Sequence, residues 1–415
     1  MILRARIILP VTAPPIEDGA VFVEGGQIRD VRPWKGISPP AGEKIQDLGE
    51  VILLPGLVNA HCHLDYTDMA GALPPPKIFT DWIAAIIEHK TGWGYSDYAR
   101  SWLHGAQQLL QTGTTTVGDI ESMPDLLPEV WAATPLRIFS FLEMTGIKAR
   151  RLPRDILNEA VEKIDSLSHS RHQARLSPHA PYSTSPELLR LTARTARERN
   201  WRVSIHVAES EQEFEMFAHG GGTMHDWLRR NGRDNSDCGL GSPVAHLARQ
   251  QLLGENLLAI HANCLAPGDA QLLAQSQTHV VHCPRSHDYF RHPKFERKRL
   301  AAAGVNLGLG TDSLATTRCR GRQKPELDLF AEMRALADSD PSVSPGEILR
   351  MATVNGARAL GLAGTAGELN RHAFADLIAL PFSGKPAAAL AAVLQHAGPV
   401  AASMIEGRWA IPPPA

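Results

Sequence analysis

Residues 58–68 read VNAHCHLDYTD, which sets His61 and His63 one residue apart at the end of the apolar run VILLPGLVNA (51–60). In a chain with 18 histidines among 415 residues, one His-x-His is about what random placement delivers, so the spacing decides nothing by itself. Its place in a larger pattern does. Seven further apolar, β-rich runs follow: TTTVGDI (114–120), RIFSFLEM (137–144), ARLSPHAP (174–181), RVSIHVAE (202–209), LLAIHANC (257–264), THVVHCPR (278–285) and VNLGLGTD (305–312). Helix-like segments at 97–112, 154–168, 185–200, 243–254, 267–276 and 324–339 lie between or after them. Continuous apolar strands alternating with helices predict a parallel sheet buried on both faces. Eight such runs are what a (β/α)8 TIM barrel requires, so the fold class is α/β, with the barrel over 55–364.

The two ends of the chain read differently. RARIILPV and GAVFVEGGQIRDVRP near the N-terminus, and AFADLIALPF and PVAASMIEGRWAI near the C-terminus, are short alternating runs broken by Pro and Gly. That is the pattern of antiparallel sheet. Residues 1–54 and 365–415 are expected to form one small composite β domain.

Composition narrows the function classes. Hydrophobic content of 43% and charged content of 21% are ordinary for a globular enzyme. A formal net charge of −2 provides no global field to draw nucleic acid or an anionic membrane. The densest basic run, ERKR at 296–299, is expected on a solvated helix face. No apolar run reaches membrane length. MILRARIILPV reads as a first strand and not as a signal peptide, because Arg4 and Arg6 interrupt it and no small-residue cleavage site follows. Five scattered cysteines without a CxxC pair suit reduced thiols and a cytoplasmic location. The expected partner is a small-molecule substrate, with neither nucleic acid nor membrane involved; a homodimer is left open.

Most of the apolar runs end in a polar residue that such a strand would not otherwise carry: His61 and His63, then Glu143, His179, His206, His261, His282 and Asp312. In a barrel all C-terminal strand ends converge on the face where active sites sit. Alternate strand residues point the same way, so His61 and His63 both face the axis. With His206 and Asp312 they complete four metal ligands, and neutral imidazole plus carboxylate suits one zinc, with divalent iron as the alternative. Glu143 and His282 are candidate substrate contacts, although His282 could equally pack behind the site. Loops after the first and third strands are expected to gate specificity; the first contains PPPKIFTDWIAAIIEHK, with Trp82, Glu88 and Lys90 as candidates. Asp65 and Tyr66 read as loop residues at the entrance.

PGLVNAHCHLD (55–65), SPHAPYSTSPELL (177–189), HVAESEQEFE (206–215), HCPRSHDYF (282–290) and GLGTDSLAT (308–316) together resemble the amidohydrolase superfamily. The chain looks most like its mononuclear deaminase and chlorohydrolase branch. The resemblance runs through the N-terminal GAVFVEGGQI and the C-terminal MATVNGARALGL and ADLIAL segments. It implies a distorted barrel with a β-sandwich from both termini, and one metal held by His61, His63, His206 and Asp312. It further implies that Glu209 shuttles protons, that His261 orients the attacking water, that Asp312 can accept its proton, and that His179 contacts substrate. There is one departure. NRHAFADL (370–377) stands where the family usually has a glycine turn, which touches only the sandwich. ARLSPHAP lacks the bridging lysine of binuclear members. The signatures of nucleic-acid-editing zinc deaminases and of HExxH metalloproteases are absent as well.

The implied reaction is hydrolytic removal of an exocyclic amine from an aromatic N-heterocycle. The loop PRSHDYF, with HAPY and HVAES, looks most like aminodeoxyfutalosine deaminases, then deaminases of adenosylhomocysteine or adenosine-like nucleosides. Alternatives are a triazine-type chlorohydrolase or aminohydrolase and a guanine or pterin deaminase. A catalytically dead metal-binding scaffold would have lost a ligand or the shuttle, and neither is lost.

Overall fold

The computed structural model describes residues 1–38, 42–147, 151–319, 321 and 324–414. The chain begins with five strands, β1 (Ile2–Ile8), β2 (Ile16–Glu24), β3 (Gln27–Pro33), β4 (Ile45–Asp47) and β5 (Val51–Pro55). Eight more follow with helices between them: β6 (Leu57–Cys62), β7 (Thr114–Glu121), β8 (Arg137–Met144), β9 (Gln173–Pro178), β10 (Val203–Val207), β11 (Leu257–His261), β12 (His279–His282) and β13 (Leu307–Leu309). Three close the chain: β14 (Leu377–Pro381), β15 (Ala402–Ile405) and β16 (Arg408–Ile411).

Strands β6 to β13 pair in parallel in chain order, as the eight apolar runs predict. Every residue of β6, β7, β10, β11, β12 and β13 is buried, because helices cover the outer face and side chains fill the axis. The barrel is distorted. Register shifts interrupt β6 against β7, β13 is three residues long, and β9 meets β10 at the single pair Val203–Leu176. Closure from β13 back to β6 runs through the candidate ligands themselves. The N–H groups of Thr311 and Asp312 donate to the His61 carbonyl at 3.0 and 3.2 Å. This seam requires Gly310: a Cβ there would sit 2.7 Å from the His61 oxygen and 2.8 Å from its Cβ. Gly310→Ala is therefore expected to cost about 1–3 kcal/mol by overpacking and to weaken metal binding. Thermal melts with and without zinc check both effects.

The terminal strands form one sheet in the order β16-β15-β14-β5-β1-β2-β3, with β4 also on β1. The expected sandwich is thus a single hydrogen-bonded sheet that folds over a shared core including Leu3, Val21, Leu53, Leu377 and Met404. A bridge between Gln27 and Phe374 brings its distant parts back together. His372, in the segment NRHAFADL, adopts φ +76°, a left-handed conformation that strains a residue other than glycine. Arg137, at the start of β8, ties barrel to sheet. Its guanidinium is buried 3.4 Å from Asp376 and 3.0 Å from Glu406, and lies 3.7 Å from the Phe374 ring centroid. Arg137→Ala would strand the buried Asp376 carboxylate, and a loss of about 3–5 kcal/mol is expected in urea unfolding.

Several local expectations need correction. The segment expected as a gating loop after the first strand contains the helix Phe79–Lys90, and PRSHDYF is the helix Pro284–Phe290. Within and before MATVNGARALGL lie two separate helices, Pro345–Met351 and Val354–Ala359. In ERKR, Arg297 is buried and pairs with Asp340 at 2.8 Å, whereas Lys298 is exposed, so only part of the run lies on a solvated face. No helix among the described residues is long and apolar enough to cross a membrane.

Candidate active site

The C-terminal strand ends bring the polar residues into one place. His63 Nε2 lies 3.3 Å from His206 Nε2, while His61 Nε2 and His63 Nε2 lie 3.5 and 3.6 Å from Asp312 Oδ1. Ligands about 2.1 Å from a tetrahedral ion stand roughly 3.4 Å apart, so these spacings fit one small divalent metal. The hydrogen bonding fits as well. His206 donates its Nδ1–H to the His179 carbonyl at 2.9 Å, which leaves the Nε2 lone pair aimed inward. Ser286 Oγ and Thr316 Oγ1 donate to Asp312 Oδ2 at 2.6 and 3.1 Å, leaving Oδ1 to face the imidazoles. Among the described residues, both ring nitrogens of buried His61 lack a hydrogen-bond partner. An orphaned imidazole is costly in the interior unless something else coordinates it.

The electrostatics favour the ligating protonation states. Burial, reinforced by the neighbouring histidines, depresses His63 and brings His206 down to about 3, so both rings are neutral at pH 7. Burial alone would raise the Asp312 carboxyl, but the facing His61, His261 and His63 outweigh it and hold it well below the usual range. Asp312 (φ +52°), His261 (φ +74°) and Ala208 (φ +51°) all lie in the left-handed region. Such strain costs about 1–3 kcal/mol per residue and clusters at functional sites.

A cavity of about 350 Å³ opens beside this cluster, lined by His63, His206, His261, Glu209 and Asp312 among others. His261 Nε2 is 3.6 Å from Glu209 Oε1 and has no other partner. Burial, then the charges of Asp312 and Glu213, push the Glu209 carboxyl well above its ordinary value.

Of the expected substrate contacts, Trp82, Glu143, His179 and Lys90 line the cavity. His179 Nε2 is 3.9 Å from Glu143 Oε1, and burial takes the ring down to about 4. Two expectations fail. Glu88 is exposed, because residues 82, 83, 86, 87 and 90 share the cavity face of their helix and 88 falls on the opposite one. His282 does not line the cavity. It stacks face to face on Phe295, with ring centroids 3.8 Å apart, and packs behind the site. Asp65 is likewise no entrance residue. It is fully buried, accepts from Ser122 Oγ at 2.5 Å, and is raised to about 7 mainly by burial. Tyr66 stacks on His63, centroids 5.3 Å apart.

The sequence reading missed Tyr66, Tyr182, Trp227 and the isoleucines Ile83, Ile86 and Ile87 as cavity wall. The isoleucines had a signal in the helical period of the segment 79–90. Tyr182 and Trp227 had none, since only the packing of distant segments brings them there. Cys62 and Cys283 are buried free thiols, neither of them among the residues that line the cavity.

A parallel (β/α)8 barrel that gathers three imidazoles and a carboxylate beside a cavity at its C-terminal strand ends defines a metal-dependent hydrolase by class. The amidohydrolase family model matches residues 52–410, and the chain belongs to that family. It is 30% identical over 400 residues to a 5-methylthioadenosine/S-adenosylhomocysteine deaminase of Syntrophobacter fumaroxidans, covering 88% of this chain and 80% of that one. Its fold is similar to an adenosine deaminase from Xanthomonas campestris with bound zinc, at a TM-score of 0.82 and 24% identity over 98% of this chain and 92% of that one. It is also similar to the aminofutalosine deaminase of Helicobacter pylori in complex with methylthio-coformycin, at a TM-score of 0.87 and 21% identity over 99% and 100% of the two chains.

Proposed function

We propose that this protein hydrolyses the exocyclic amine from an adenine-type nucleoside of the 5′-methylthioadenosine, adenosylhomocysteine or aminodeoxyfutalosine kind, releasing ammonia. The observation that carries the reading is the meeting of Glu209 and His261, 3.6 Å apart, with the four-ligand cluster on the wall of one cavity. The family membership and the 30% identical deaminase support it. His61, His63, His206 and Asp312 would hold one divalent metal, zinc before iron. When bound, that metal supplies a Lewis acid and lowers the pKa of a water from 15.7 to roughly 7.

The chain's own residues do the rest. Asp312 or Glu209 accepts the proton that the attacking water loses. His261, neutral and unpartnered at Nε2, orients that water toward the amine-bearing ring carbon. Glu209, its carboxyl raised by burial, delivers a proton to the adjacent ring nitrogen and so removes aromatic resistance to attack. The C–O bond forms, the C–N bond breaks, and the second proton of the attacking water passes to the amine, which departs as ammonia. Trp82, Ile83 and Ile86 offer an apolar wall, and Glu143 and His179 offer polar partners to the sugar. Residues 55–364 form the catalytic domain, and 1–54 with 365–415 the composite sheet domain that buttresses it.

Ammonia release from a panel of aminated purines, adenine nucleosides, pterins and chlorinated triazines, with metal analysis of the same sample, tests the reading. The expected result is about one metal per chain and fastest release from a 5′-substituted adenosine. Halide release from a chlorotriazine with no turnover of any adenine nucleoside would overturn it.

A further inference from the structure

The geometry points to Glu213 and Asn263 as positioning residues that lock the backbone of Glu209, so that its carboxyl alone is free to move. The inference rests on the reading of Glu209 as the proton-transfer group. All four backbone polar groups of Ala208 and Glu209 have partners. The Glu213 carboxylate accepts from the Ala208 N–H at 3.0 Å and from the Glu209 N–H at 2.8 Å, one oxygen each. The Ala208 carbonyl accepts from the N–H groups of Asn263 and Cys264, both at 2.9 Å. The Glu209 carbonyl accepts from Asn263 Nδ2 at 3.0 Å. Asn263 is held in turn by His287, whose Nδ1–H donates to Asn263 Oδ1 at 3.0 Å.

This clamp is not an ordinary helix cap. Ser210-x-x-Glu213 matches a capping box, in which the glutamate reaches back to the N–H of the cap residue. Ser210 does its part, accepting from the Glu213 N–H at 3.2 Å. The Glu213 side chain instead passes over Ser210 to the two residues before it. Glu213 is fully buried, and one of those residues, Ala208, sits at φ +51°. A buried carboxylate is costly, and its placement on two N–H groups of a strained turn compensates by fixing that turn. The turn carries Glu209 from the end of β10 into the cavity, beside His261 at the end of β11. Among the described residues the Glu209 carboxyl makes no hydrogen bond, and His261 Nε2 stands 3.6 Å from its Oε1. Proton transfer in two directions needs a mobile carboxyl on an immobile anchor, because a misplacement of about 1 Å costs on the order of 10²-fold in rate.

Glu213→Gln puts an amide N–H₂ against a backbone N–H, and Asn263→Ala removes the carbonyl's partner. Glu213→Asp keeps both acceptors but retracts them. Single-turnover ammonia release from 5′-methylthioadenosine would be measured for each variant, with KM, metal content and melting temperature, in the wild-type and the Glu209→Gln backgrounds. The expected result is a loss of kcat on the order of 10²-fold for Glu213→Gln and Asn263→Ala, and a smaller loss for Glu213→Asp. KM and metal content should be unchanged, and no further loss should appear on top of Glu209→Gln. Equal losses in both backgrounds, or a loss that tracks the fall in melting temperature or metal content, would show a merely structural role and overturn the clamp. Wild-type kcat in Glu213→Gln and Asn263→Ala, with Glu209→Gln inactive, would overturn the clamp and leave the role of Glu209 standing. Full activity of Glu209→Gln itself would remove that role and the clamp with it.

Discussion

Glu209→Gln is expected to lower turnover of an adenine-type nucleoside by about 10²–10⁴-fold while the protein keeps its metal. Glutamine has the same shape and can still meet His261, 3.6 Å away. It cannot give up or take a proton. Of the two carboxyls at the cluster, Glu209 is the one suited to do so for the ring nitrogen. Asp312 is held by Ser286 and Thr316 on one oxygen and faces the histidines with the other, and its carboxyl is pulled well below the ordinary range. Glu209 goes the opposite way, raised by burial and by Asp312 and Glu213. Two carboxyls whose environments push them apart divide the labour of base and acid. Ammonia release and metal analysis on the same preparation check the prediction. Retained turnover with a full complement of metal would remove Glu209 from the reaction.

Removing the metal is expected to abolish activity and to destabilise the fold together. A ligand present at 100–1,000 times its dissociation constant stabilises by about 2.7–4.1 kcal/mol, so chelation should lower the melting temperature and zinc should restore it. His206→Ala should reproduce the loss without chelator. It deletes a nitrogen 3.3 Å from His63 Nε2 and removes one of the two N–H groups of residue 206 that donate to the His179 carbonyl, the backbone N–H at 2.9 Å remaining. The stability effect of added zinc should shrink in that variant. An equal zinc-dependent rise in melting temperature for His206→Ala and wild type would refute this site.

Much of the architecture was legible because it rests on local rules. The eight strands announce themselves as buried apolar runs, and His61, His206, His261 and Asp312 stand out because an apolar strand end has no other use for them. The elements that failed to show are those whose meaning depends on a partner. PPPKIFTDWIAAIIEHK is expected as part of the loop after the first strand, yet once Phe79 starts a helix its isoleucines turn to the cavity and Glu88 turns away. His282 has the same sequence credentials as His261. Phe295 stacks on it from the following segment and takes it out of the site.

The sequence by itself therefore determined the barrel and the four candidate metal ligands, since strand periodicity and strand ends are properties of short stretches, while the role of Glu209 was what the family resemblance implied. Only the tertiary structure decided which oxygen of Asp312 faces the imidazoles, which tautomer His206 takes, and how the turn at Ala208 is held. Each of those depends on hydrogen bonds from residues distant in sequence: Ser286 for Asp312, the His179 carbonyl for His206, and Asn263 for the turn. Their donors and acceptors meet only when the barrel closes, at a seam where the backbone of Asp312 joins that of His61.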